Sequence, residues 1–199
     1  MTLRPICGLA LISLLTLSGC DAAKSKGGGS GSGGSASGSA AAQGAPAAVA
    51  PAAAEVTLTP LKLTAIKDLL ASKKGKIIVV DTWSTYCEPC MKEFPGLVAM
   101  HKKYGPDKVA CISLCVNFQG IGKPTDPDVF DEPLAFLKTQ GATFDNVLSA
   151  DSDSDLYAQW DFNSVPAVFV FDREGKEIKR FVDKVNYAEI EAFVAPLVK

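Results

Sequence analysis

The apolar positions of this chain fall into three patterns. Residues 6–17 form a short, almost unbroken apolar run. Residues 21–54 carry almost nothing that could build a core. From residue 55 onward, short apolar runs alternate with stretches whose apolar residues recur at helical spacing, the pattern of an α/β domain. Residues 56–58 read as a short strand. Thr64 is a candidate N-cap for a helix with Ile66, Leu69 and Leu70 on one face, ended by Gly75. Residues 76–82 are apolar through their middle, as in a central strand buried on both faces. Residues 90–103 read as a helix that Pro95 should kink, and Gly105-Pro106 stops it. A second buried strand is predicted over 109–118, followed by a Gly/Pro/Asp-rich loop over 119–131.

The rest continues the alternation. A helix is predicted over 133–139, a strand over 144–149, and a helix over 156–160 started by Ser154 or Asp155. Val165-Pro166 precedes a strand over 167–172, which turns at Arg173-Glu174-Gly175 into another over 177–182. Asn186 and Glu189 read as a capping pair for a last helix that buries Ile190, Phe193, Val194 and Leu197. The order β-α-β-α-β-α-β-α-β-β-α predicts a mixed central sheet flanked by helices.

Composition narrows the function classes. The chain has 199 residues, is 47% hydrophobic and 21% charged, and carries a formal net charge of −2. Nothing in that balance suggests nucleic acid or adhesion to a membrane by charge. The N-terminus suggests export. Arg4 precedes the 6–17 run, which falls short of the roughly 20 residues a membrane-spanning helix needs. Leu17-Ser18-Gly19-Cys20 resembles a bacterial lipobox, which implies a signal peptide over 1–19 and a lipid on Cys20; an ordinary signal peptide or an uncleaved anchor is the alternative. More than one acyl chain there would give stable membrane attachment. The Gly/Ser- and Ala/Pro-rich segment over 20–54 is expected to be a disordered tether reaching about 30 Å as a random coil, or a spacer of no selected length.

The chemistry concentrates at Cys87-Glu88-Pro89-Cys90, directly after the 76–82 run. A strand that delivers Cys-x-x-Cys to the start of a helix suits thiol–disulfide exchange. Cys87, at the positive end of the helix dipole, is the expected nucleophile. Cys90, one turn later and more buried, is the expected resolving thiol. Pro89 fits the first turn, where its missing N–H costs nothing. Glu88 opposes a second negative charge beside it and so favours a reductant. Asp81 interrupts the buried strand six positions before Cys87, where burial should raise its pKa and suit it to accept the Cys90 proton. A polar strand end merely bonded to backbone is the other reading of Asp81.

The run from Val80 through Asp81, Trp83, Tyr86, Cys87 and Cys90 to Glu93-Phe94-Pro95 resembles the active-site region of the thioredoxin superfamily, and in detail the membrane-tethered TlpA/ResA-like thiol-disulfide oxidoreductases. The resemblance spans roughly residues 56–199. It implies a thioredoxin fold over 55–199 with an N-terminal β-α extension and a central α/β insertion. It implies that Val165-Pro166 is the cis-proline loop and that Trp83, Tyr86, Val165 and Pro166 line a substrate groove. It further implies a disulfide-containing exported protein as substrate, with apocytochrome c the leading candidate, and a membrane thiol-transfer protein as electron donor. No cofactor or metal is expected. The site would face the periplasm at the inner membrane. The chain departs from the family in having Tyr86 where Trp is usual, in its buried Asp81 and in the long 119–131 loop.

A disulfide oxidase or isomerase would use the same residues; a thiol-based metal or cofactor chaperone and a tethered interaction module with a vestigial motif are the other readings. Cys111 and Cys115 would lie about 13 Å apart on one strand, too far to pair there, and read as inert buried thiols. Cys7 falls within the signal. Asp151-Ser152-Asp153-Ser154-Asp155 begins like a calcium loop but has Leu156 and Phe162 where glycine and an acid are needed, so it reads as a solvated helix start. His101, the single histidine, reads as a surface residue.

Overall fold

The computed structural model describes residues 55–199. The expected signal peptide over 1–19, the lipidated Cys20 and the tether over 20–54 lie outside the described residues.

The elements alternate as the apolar pattern demands: β1 Thr59–Leu61, α1 Leu63–Ser72, β2 Ile77–Trp83, α2 Glu88–Tyr104, β3 Val109–Cys115 and α3 Pro127–Gln140. Then follow β4 Asp145–Ser149, α4 Asp153–Trp160, β5 Ala167–Phe171, β6 Glu177–Val182 and α5 Tyr187–Val194, with a 3-10 turn over Ala195–Val198. They build one mixed sheet in the order β1-β4-β3-β2-β5-β6. The β1–β4, β4–β3 and β3–β2 pairings are parallel; β5 runs antiparallel to β2, and β6 antiparallel to β5. This is the thioredoxin-like fold, with β1 and α1 as an N-terminal extension.

β2 is buried along its whole length because it sits between β3 and β5 with helices on both faces. Its side chains alternate. Ile77, Val79 and Trp83 face one core with Phe94 and Leu97 of α2, Leu137 of α3, and Ile190 and Val194 of α5. Ile78 and Val80 face the other core with Ile66 of α1 and Leu156 of α4. Each fully buried aliphatic or aromatic side chain adds on the order of 1.5–3 kcal/mol of transfer free energy. Alternation therefore places Asp81 on the same face as Val79 and Trp83, the face that α2 and α5 cover.

Element ends differ from the sequence reading for local physical reasons. The first strand forms at Thr59–Leu61, later than 56–58, where it pairs in register with Val147–Ser149 of β4. The N-cap of α1 is Lys62, not Thr64, and Lys62 offers no side-chain cap. Asp151 supplies the acceptor instead: its carboxylate takes the Leu63 N–H at 2.6 Å from across the fold. α3 starts at Pro127, so residues 127–131 of the expected loop are helical; proline is suited to a first helical turn. Ser152 caps α4 by accepting the Asp155 N–H at 3.2 Å, ahead of the expected Ser154 or Asp155. Asn186 caps α5 through the Ala188 N–H at 2.9 Å, while Glu189 is exposed. α2 continues through Pro95, which lies on its exposed side.

Candidate active site

The connection from β2 to α2 is pinned by one side chain that the sequence reading did not single out. Asn117 lies two residues beyond β3 and is buried. Its Oδ1 accepts from Ser84 Oγ at 2.8 Å, from the Thr85 N–H at 3.1 Å and from Cys115 Sγ at 3.3 Å. Its Nδ2 donates to Thr85 Oγ1 at 2.7 Å. Thr85 Oγ1 in turn donates to Glu132 of α3 at 3.1 Å. Ser84 also accepts the Tyr86 N–H at its Oγ (3.2 Å) and the Cys87 N–H at its carbonyl (3.1 Å). The approach to Cys87 is thus a hydrogen-bonded turn with a fixed exit direction. The one available signal was a polar Asn closing an otherwise apolar run.

Cys87 and Cys90 are joined in a disulfide, with Cα atoms 5.3 Å apart. Cys87 is the N-cap of α2 and its backbone is extended, so the chain bends into the helix there. Its Sγ accepts the Cys90 N–H at 3.3 Å, one of the donors that a helix N-terminus leaves without an internal partner. Cys87 is half-exposed, whereas Cys90 is 2% exposed. Cys87 is therefore the accessible sulfur of the pair. Pro89 occupies the first turn. Glu88 is fully exposed and pairs with Lys92 one turn on at 2.8 Å, and the hydrogen bond and charge of Lys92 hold its carboxyl below the ordinary value. The ammonium offsets part of the negative field that Glu88 would otherwise set against a Cys87 thiolate.

On the face of β2 that it shares with Val79 and Trp83, Asp81 is 3% exposed. Burial pushes its carboxyl up from 3.8 to about 7; a hydrogen bond from Tyr187 opposes that rise and the charge of Glu93 adds to it. The Tyr187 hydroxyl donates to Asp81 Oδ2 at 2.5 Å. Tyr187 also donates its backbone N–H to Glu93 Oε2 at 3.3 Å. Cys111 and Cys115 are free and buried, and burial pushes both thiols up to about 12. At neutral pH they hold no thiolate with which to react.

A cavity of about 540 Å³ opens beside the dithiol, with Tyr86, Cys87, Asn117, Gln119, Tyr157 and Val165 among its walls. Val165-Pro166 is a cis peptide. The β2–β5 register, Thr82 opposite Ala167, sets it across from the turn that leads to Cys87. Val165 is half-exposed and Pro166 buried, so Val165 is the accessible residue of the pair. Tyr86 is 72% exposed and projects at the rim. Trp83 corrects the expectation. It is fully buried under the site, packed edge-on against Phe94 with ring centroids 5.1 Å apart and tilted against Phe136 at 5.0 Å. It supports the site from the core and does not line a groove. His101 is likewise not a plain surface residue: it is half-buried, its ring lies 5.2 Å from that of Phe144, and burial lowers its pKa.

The chain resembles known proteins in sequence and in fold. The chain is 30% identical over 110 residues to the thiol-disulfide oxidoreductase ResA of Bacillus subtilis, covering 55% of each protein. It is 26% identical over 125 residues to the thiol:disulfide interchange protein HelX of Rhodobacter capsulatus, covering 63% of this chain and 62% of the relative. The chain thus spans little more than half the length of the Bacillus subtilis relative. In fold it resembles a thiol-disulfide isomerase from Corynebacterium glutamicum (TM-score 0.55, 17% identity, 65% of this chain and 84% of the other). It also resembles a thiol:disulfide interchange protein DsbE from Chlorobium tepidum (TM-score 0.53, 20% identity, 65% and 85%). The AhpC/TSA family model matches residues 49–179, which include the dithiol, Asp81 and the Val165-Pro166 bond, and the chain belongs to that family.

Proposed function

We propose that this protein is a membrane-tethered thiol-disulfide oxidoreductase that reduces disulfides of exported proteins through Cys87 and Cys90. The observation that carries the reading is the asymmetry of the pair: a half-exposed Cys87 capping α2, bonded to a buried Cys90. In the reduced protein the Cys87 thiolate attacks a substrate disulfide. One substrate sulfur leaves and a mixed disulfide remains on Cys87. Asp81 accepts the Cys90 proton, and the Cys90 thiolate attacks Cys87 Sγ, releasing the second substrate sulfur. The substrate gains two electrons and the Cys87–Cys90 bond re-forms. A dithiol donor at the membrane then returns the electrons, since an exported site sits in an oxidising compartment. Val165 offers backbone to an extended substrate segment across the cavity.

The relatives' names, oxidoreductase and interchange protein, support the reaction class. The lipobox at Cys20 supports the tether and the periplasmic setting, and the family resemblance supports apocytochrome c as the substrate. No helix among the described residues is long and apolar enough to cross a membrane. The deciding experiment is Cys90→Ser in the native host. A discrete mixed disulfide through Cys87 is the expected product and identifies the substrate. If nothing is trapped while the variant is folded and reduced, the enzymatic reading fails. A reduction potential close to that of a strong oxidant would instead reverse the direction of electron flow.

A further inference from the structure

Tyr187 touches two carboxylates, Asp81 and Glu93, and it does so from the far side of the molecule's sequence. It is the first residue of α5, held there by the Asn186 cap. Its ring lies directly across α2 at Gly96: a Cβ built on Gly96 would stand 2.2 Å from Tyr187 Cγ and 2.4 Å from its Cβ. No side chain larger than hydrogen fits there without moving the ring. Seated in that notch, the ring carries its hydroxyl to Asp81 Oδ2 at 2.5 Å, while the backbone N–H of the same residue bonds Glu93 Oε2 at 3.3 Å. Tyr187 is 7% exposed and its bond to Asp81 is buried, whereas its bond to the half-exposed Glu93 is part-buried.

The groups facing Asp81 make this contact decisive. From α2 comes Glu93, from β3 the Cys111 thiol, and from α5 Tyr187; across the sheet β5 sets apolar Val168 opposite it. The only one of these that favours a charged Asp81 is the Tyr187 hydroxyl.

We propose that Tyr187 is a positioning residue for the resolving step: it fixes one Asp81 oxygen, leaves the other to take the Cys90 proton, and ties that carboxylate to Glu93 on the helix that carries Cys90. The proposal rests on Asp81 as the proton acceptor. Its geometry explains why a helix that gains from alanine keeps a glycine at 96. A hydroxyl, unlike an ammonium, steadies the carboxylate without fixing it in the ionised state, so the group can still exchange a proton near neutrality.

The test is the reaction of the reduced full chain with 5,5′-dithiobis(2-nitrobenzoate), followed by stopped flow from pH 5.5 to 9. Attack by Cys87 releases one thionitrobenzoate and leaves a mixed disulfide. Attack by Cys90 on that disulfide releases the second. The second phase is expected to accelerate through pH 7 in the wild type. In Tyr187→Phe its inflexion is expected to move up by about one pH unit or more, because a hydrogen bond to the charged form has been lost. For a move of one unit from about 7, the second phase at pH 7 then slows about fivefold while the first phase is unchanged. Gly96→Ala, which displaces the ring but keeps the hydroxyl, is expected to move the inflexion the same way and covers the case in which Tyr187→Phe folds poorly. An inflexion that stays in place in both variants, while Asp81→Asn abolishes it, overturns the role of Tyr187 and leaves Asp81 standing. An inflexion that survives in Asp81→Asn overturns the Asp81 reading and this proposal with it.

Discussion

Asp81 makes the stability of this protein depend on pH in a direction opposite to that of most carboxylates. Its folded carboxyl titrates at about 7 against 3.8 for the ordinary group, and burial is the main cause. The unfolded chain therefore releases this proton first as pH rises. Below 3.8 both states hold it and the group is neutral in its effect. Between there and about 7 the unfolded state gains about 1.4 kcal/mol per pH unit, so stability is lost as pH rises and the loss levels off above the folded value. The span amounts to about 4 kcal/mol, a large part of the 5–15 kcal/mol typical of a domain. Asp81→Asn removes the titration while leaving an amide oxygen that can still accept from Tyr187. The expected result is a variant close to the wild type at pH 4 and about 4 kcal/mol more stable, relative to it, at pH 8. Guanidinium denaturation of the two oxidised proteins at a series of pH values, read by tryptophan fluorescence, measures the difference directly. All other carboxylates are common to both proteins and cancel. An offset that stays constant across that range would refute the assignment of a protonated buried Asp81.

Asn117→Ala should cost about 1–3 kcal/mol, because it strips partners from the buried Ser84 hydroxyl and the Thr85 N–H; it should also slow the first thionitrobenzoate phase by loosening the turn ahead of Cys87, and an unchanged rate would show that the turn holds without it. Iodoacetamide applied to the native, reduced protein should modify Cys87 and leave Cys111 and Cys115 untouched, with both becoming reactive in denaturant; peptide mass mapping reads this, and early labelling of either buried thiol would contradict their burial.

The order of the elements could be read from the chain because each apolar run has a length and period that only one element type satisfies. The dithiol was legible for the same reason: a buried strand followed at once by Cys-x-x-Cys leaves little choice of setting. What escaped was whatever depends on partners distant in sequence. Tyr187 meets Asp81 across 106 positions, Asp151 caps Leu63 across 88, and Asn117 reaches Ser84 across 33. No local pattern marks these pairs. Trp83 is a different case. The family resemblance implied the groove, yet the alternation of β2 already sets Trp83 on the face of Val79, inside the core. Period outranks resemblance at that position.

The notch at Gly96 ties two distant positions into a single volume. Glycine inside a helix costs about 1 kcal/mol relative to alanine, a cost that is offset only while an aromatic ring occupies the space it leaves. Substitution of Tyr187 by a small residue would remove that reason for glycine, and alanine at 96 would then be the better helix former. Positions 96 and 187 are therefore expected to change together among descendants of this chain, small with large or large with small. A chain that loses the tyrosine should sooner or later fill the notch, and with the notch filled it could not regain the tyrosine in one step.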